Sequence, residues 1–160
     1  MVSAATESVW DYPRPPRVER SERRICVRLG ESVIADTTRA QRVLETSHPP
    51  VYYIPLADVA AAVLAPSEAR GSVCEWKGAA IYYDVSAPDG RRIERGAWGY
   101  PSPSAGFETL IETAAFYPGL MDECTVDGER VTPQPGGFYG GWITSEIVGP
   151  FKGAPGTSGW

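Results

Sequence analysis

Lys77 is the residue with the clearest chemical potential. It stands in Cys74-Glu75-Trp76-Lys77-Gly78, beside an aromatic ring and two positions from a carboxylate. An ammonium placed there could hold an anionic ligand or, once desolvated, act as a nucleophilic amine. The competing reading is a salt bridge to Glu75 or another carboxylate, with the lysine stem lying over aromatics. His48 is the single histidine and sits between Ser47 and Pro49. It could act as general base for a nucleophile, with Cys74 the obvious partner, or fix a proline turn through hydrogen bonds. Glu45 and Arg39 bring further charges that could converge on Lys77.

Aromatic residues give these charges a setting. Tyr52, Tyr53, Trp76, Tyr82, Tyr83, Trp98, Tyr100 and Tyr117 include most of the eight tyrosines, against four phenylalanines in the chain. A tyrosine buries a ring but needs a partner for its hydroxyl, so the set implies a polar-lined cavity or a half-wet sheet surface. Rings with a few converging charges suit a small planar or anionic ligand. The candidate ligand-binding residues are therefore Lys77, Glu75, Trp76, His48, Tyr53, Tyr83, Tyr100, Glu45 and Arg39. No metal site and no cofactor are expected. Cys26, Cys74 and Cys124 lack paired zinc spacing, there is no Asp-x-Asp pair, and no Gly-rich loop of the phosphate-cradling kind occurs. Three cysteines far apart read as free thiols.

The elements that would position these residues are mostly strands. Cys74 to Val85 reads as the longest, with Glu75, Lys77, Ile81, Tyr83 and Val85 on one face and Trp76, Ala80 and Tyr82 on the other. Ala87-Pro88-Asp89-Gly90-Arg91 turns it into a hairpin that sets Val85 opposite Ile93, Ala80 opposite Trp98 and Asp84 opposite Glu94. That register gathers Trp76, Tyr82, Trp98 and Tyr100 on a common face. Further hairpins are expected at Gly30-Glu31 and Asp127-Gly128, and Val51 to Ile54 is a strand. Arg42 to Thr46 is either a short strand or one helical turn. Leu56, Val59, Ala60, Val63 and Leu64 fit a short helix, and Phe107, Leu110, Ile111, Ala114 and Ala115 fit a second.

Size and composition bound the rest. At 160 residues, one domain is expected. Residues 1–23 read as an irregular Pro/Arg-rich arm, 24–131 as a β-rich core, and 132–160 as a Gly/Pro-rich extension. Phe138, Trp142, Phe151 and Trp160 in that extension imply that it wraps on the core. The fold class expected is mainly β: a single antiparallel domain, barrel-like or strongly curled, with one or two short helices. A net charge of −5 disfavours nucleic acid as a partner. No apolar run is long enough for a membrane span, and the N-terminus lacks a secretory pattern, so the expected location is cytoplasmic.

Taken together, Thr46-Ser47-His48-Pro49-Pro50-Val51-Tyr52-Tyr53-Ile54-Pro55, Glu75-Trp76-Lys77-Gly78, Trp98-Gly99-Tyr100-Pro101 and Phe116-Tyr117-Pro118 resemble a bacterial and fungal family catalogued as domain of unknown function 427. The resemblance covers roughly residues 24–131, and the flanks look like the extensions of its single-copy actinobacterial members. It implies a compact β-rich domain and carries a nucleotidyltransferase-like label, without an established activity. Three readings follow. The first is a small-molecule binding domain around Lys77, with catalysis left open. The second is an interaction module that docks a protein through exposed aromatics and the arginines Arg14, Arg17, Arg20, Arg23, Arg24 and Arg28. The third is a nucleotide-handling enzyme, which rests on the family label. No oligomeric state follows from the sequence.

Overall fold

A computed structural model describes residues 6–68, 71–74 and 76–160. Glu75, one of the candidate site residues, lies outside the described residues. The chain is mainly β, with two larger sheets around a shared core and two two-stranded pairs, Glu7–Ser8 with Ile147–Val148 and Thr132–Pro133 with Trp142–Ile143. The larger, eight-stranded sheet runs in the order Arg17–Arg20, Gln41–Leu44, Val51–Pro55, Thr113–Phe116, Arg92–Gly99, Gly78–Ser86 and Leu64–Pro66, with Ser72–Cys74 also pairing to Gly78–Ser86. The smaller sheet orders Glu129–Arg130, Glu123–Val126, Ile25–Leu29 and Ser32–Thr37. The larger sheet stays open rather than closing into a barrel: Arg17–Arg20 at one end and Leu64–Pro66 at the other each have a single strand neighbour.

Period-2 alternation explains both faces of the larger sheet. Tyr52 and Ile54, Val85, Ala97 and Phe116 point to the smaller sheet, where they meet Ile25, Val27, Leu29 and Ile34 in one buried cluster. The alternate residues Tyr53, Ala80, Trp98 and Ala115 form a second cluster on the opposite face, with Val43, Tyr100, Phe107 and Leu110. That second face carries the candidate site. The hairpins at Gly30-Glu31 and Asp127-Gly128 form as expected; Asp127 and Gly128 both take positive φ, as a tight type I′ turn requires.

Several expectations are corrected. No α-helix forms among the described residues. The Phe107–Ala115 pattern gives a 3-10 turn, Glu108–Leu110, and then the strand Thr113–Phe116. This strand sits between Val51–Pro55 and Arg92–Gly99, and all four of its residues are buried. A strand covered on both faces reads as a continuous apolar run, which mimics a helical stripe. The other expected helix is likewise a 3-10 turn, Leu56–Asp58, followed by the strand Leu64–Pro66.

Next, the long strand is two strands. Cys74 pairs with Gly78, so Trp76 and Lys77 stand in the hairpin connection between two strands, and Gly78, at φ +109°, opens the second. Lys77 therefore does not share a strand face with Tyr83 and Val85. Third, the next hairpin starts in the expected register, Val85 opposite Ile93, but a bulge between Ile93 and Ala97 then sets Trp98 opposite Tyr82 instead of Ala80. The shift is even, so Trp98 and Tyr82 keep their common face. The bulge also removes the Asp84–Glu94 clash, since the Asp84 carboxylate accepts from Arg92 at 2.5 Å and from the Arg95 N–H at 3.1 Å.

Finally, the arm is not irregular throughout, because Arg17–Arg20 pairs with Gln41–Leu44 along its whole length. In the extension, Trp142 is fully buried in the main core. Its backbone N–H donates to Pro50 at 2.8 Å and its indole N–H to the Phe116 carbonyl at 3.2 Å. Phe138 departs from the expected packing and is 65% exposed.

Candidate functional site

The second face of the larger sheet ends in a cavity of about 280 Å³. Strand geometry supplies its floor: Val43, Val51, Tyr53, Tyr82 and Trp98 all project to that side. The hairpin loop brings Cys74, Trp76 and Lys77 to one wall, and Glu45, His48 and Pro49 form another. The extension closes the remaining side with Gln134, Phe138, Tyr139, Gly140 and Lys152.

The rings interlock. The Trp98 indole N–H donates to the Tyr53 hydroxyl at 3.3 Å, and Trp98 lies with its centroid 4.5 Å from that of Tyr117. Tyr100 tilts against Tyr53 at 6.1 Å. Burial pushes the Tyr53 hydroxyl far above its usual range, raises Tyr100, and raises Tyr117 to about 12, so all three stay protonated donors at neutral pH. Gly140 presses on this group, and a Cβ at that position would overlap the Trp98 ring.

Lys77 is buried, at 8% exposure. Its ammonium donates to the Cys74 thiol at 3.2 Å and lies 5.8 Å from the Tyr100 ring centroid. Among the described residues, no carboxylate comes within salt-bridge distance of it. Of the partners expected for it, Glu75 lies outside the described residues, and among the rest a thiol and a ring face stand where Glu45 or a tyrosine hydroxyl was expected. Both are weak compensation for a desolvated ammonium.

His48 is held from behind. Gln134 accepts from the Gly141 N–H through its carbonyl oxygen at 3.1 Å, which turns its amide NH2 toward Nδ1 of His48 at 3.0 Å. Nδ1 is therefore the acceptor, and the ring proton sits on Nε2, 3.8 Å from Glu45. Burial, reinforced by the charges of Lys152, Arg14 and Lys77, lowers the imidazole pKa to about 4, so the ring is neutral. With Nδ1 engaged and Nε2 protonated, His48 has no free lone pair with which to serve as general base for Cys74.

Six of the nine candidate residues thus line one cavity: Lys77, Trp76, His48, Tyr53, Tyr100 and Glu45. Two do not. Tyr83 faces the main core instead, and Arg39 makes a two-pronged pair with Asp58 at 2.8 and 3.0 Å away from the pocket. Lys152 is the residue that sequence reasoning missed. It stands 75 positions from Lys77, and no local pattern links them. The available signal was compositional: the chain has two lysines against thirteen arginines, and both lysines reach this cavity.

The three cysteines are free, Cys124 buried and the other two half-buried. Among the described residues, no helix is long and apolar enough to cross a membrane. A comparison with curated proteins finds no match. The sheet framework that presents the pocket floor, from Arg17 to Val126, coincides with a family-model match over residues 17–127. The chain thus belongs to the family described as Domain of unknown function (DUF427).

Proposed function

We propose that this chain binds a small planar ligand in the aromatic cavity, with Lys77 as its principal polar contact. One observation carries the reading: an ammonium at 8% exposure, inside a ring-lined cavity, that meets a thiol and, among the described residues, no carboxylate within salt-bridge distance. Burying an ammonium is costly, and a ligand acceptor would restore part of what burial removed. The cavity, about 280 Å³, lies just under the usual range for ligand sites, about 300–1,000 Å³, which favours a one- or two-ring molecule. Trp76, Tyr53 and Tyr100 would contact the rings, while His48 and Glu45 would present polar groups at the opposite wall. On this reading the core 24–131 and the extension 132–160 act as one unit with the arm 1–23 alongside, and the free thiols favour a cytoplasmic location.

The arginine-arm alternative draws less support, because two of its arginines are closely paired within the chain. Arg24 pairs with Asp36 at 2.8 Å and Arg23 with Glu146 at 2.7 Å.

A thermal-shift screen of planar one- and two-ring compounds, run on the wild type and on Lys77→Met, tests the proposal. Met matches the stem volume, so the variant should fold and lose the stabilisation seen for the wild type. Equal shifts in both proteins would remove Lys77 from the site. A screen in which only nucleoside triphosphates with magnesium stabilise the wild type would favour the nucleotide-handling alternative.

A further inference from the structure

We infer that the cavity is built for a planar carboxylic acid whose carboxylate is held between Lys77 and Lys152, the ring lying among Trp76, Tyr53 and Tyr100. The inference rests on the proposed ligand reading and deepens it by naming the ligand class and a second cationic contact.

The distribution of cations carries the argument. Thirteen arginines and two lysines are present, and both lysines line one cavity. Among the described residues, every Lys/Arg-to-carboxylate pair uses arginine. The two lysines share a different environment. Lys77 lies 5.8 Å from the Tyr100 centroid, and Lys152 lies 5.6 Å from the Tyr139 centroid. A compact ammonium over a ring keeps donors free for a third party, whereas a guanidinium fork is normally committed to a carboxylate.

The position of Lys152 is fixed rather than incidental. Its backbone N–H donates to Ser47 at 2.9 Å, and its carbonyl accepts from Gln134, also at 2.9 Å. Gln134 is the same residue that holds His48. His48 and both lysines line the same cavity.

The charge balance selects the ligand. Among the described lining residues, two ammonium groups stand against one carboxylate, Glu45, with His48 neutral, so this lining favours an anion. A monoanion balances these groups, while a phosphate monoester would overshoot them. The neutral His48 Nε2–H adds a donor that a carboxylate oxygen can use.

Isothermal titration of the full chain with 2-naphthoate, 2-naphthamide and 2-naphthyl phosphate tests this. The acid should bind at least about tenfold more tightly than the amide, and Lys77→Met and Lys152→Met should each weaken it by about tenfold, the usual size of one charge-assisted hydrogen bond. Lys152→Gln serves if the Met variant melts abnormally. Equal affinity for acid and amide, unchanged acid binding in the Lys152 variant, or preference for the phosphate would each overturn the inference while leaving a planar-ligand site in place. No binding of any of the three probes to the wild type would count against the site itself.

Discussion

Gln134 donates to Nδ1 of His48 at 3.0 Å, and with that contact the extension determines the tautomer of a residue 86 positions earlier in the chain. The ring is neutral, buried and proton-bearing on Nε2. Its pKa of about 4, against 6.5 for a free imidazole, has a consequence for stability. Between these values the unfolded chain binds a proton that the native chain refuses, so stability rises with pH across the window and is lost as pH falls through it. The full effect is on the order of 3 kcal/mol. The melting temperature should drop between pH 7 and pH 4.5, and by less in His48→Gln. Because His48 is the sole histidine, its imidazole signals can be followed directly by NMR. They should stay those of the Nε2–H form down to pH 5; a midpoint near 6.5 would contradict the buried, neutral assignment.

Gly140 offers a steric test. A methyl group there would overlap the Trp98 ring, whereas at Gly119 the nearest atoms are at an ordinary 3.6 Å. Gly140→Ala should cost about 1–3 kcal/mol as overpacking and shift tryptophan fluorescence, while Gly119→Ala should leave both nearly unchanged. Matching behaviour of the two variants would mean that Gly140 is not pressed against the ring.

Truncation before Thr132 removes Trp142, which is fully buried in the main core. Emptying a site of that size costs roughly 3–5 kcal/mol, enough to lower the melting temperature on the order of 10 °C in a chain of this length. An unaltered melting curve would show that the extension is not part of the stable fold.

The thiols should separate by access. Under native conditions a thiol reagent should modify Cys26 and Cys74 quickly and Cys124 slowly, since burial hides Cys124 and pushes its pKa up. Three thiols should appear on unfolding without reductant; one would reveal a disulfide.

What could be read from the sequence was what local chemistry dictates. Gly30-Glu31 and Asp127-Gly128 are turn signals that act within four residues, and both gave hairpins. The common face of Tyr82 and Trp98 survived a wrong register because alternation depends on parity alone. The misreadings have equally physical causes. Ala114 and Ala115 suit helix and buried strand alike, and only the vacant slot beside Val51–Pro55 decides between them. Gly78 reads as one more residue of a strand, although a glycine after Trp-Lys can end a hairpin connection by taking positive φ. Moving Lys77 from the strand into that loop changed the face on which its ammonium lies. Lys152 was out of reach of any window, since its contacts to Ser47 and Gln134 exist only in the folded chain.

The docking of Trp142 under Pro50 also sets an order of events during biosynthesis. Both sheets are complete in sequence by Arg130, before Gln134, Tyr139 and Lys152 have been translated. A nascent chain at that stage presents Trp98, Tyr53 and Tyr100 as an uncovered aromatic shelf, the kind of surface that chaperones and neighbouring chains engage. Arrival of the last 29 residues withdraws that shelf and creates the cavity in the same step. The segment that finishes the pocket is therefore also the one that covers the ring face of the sheet.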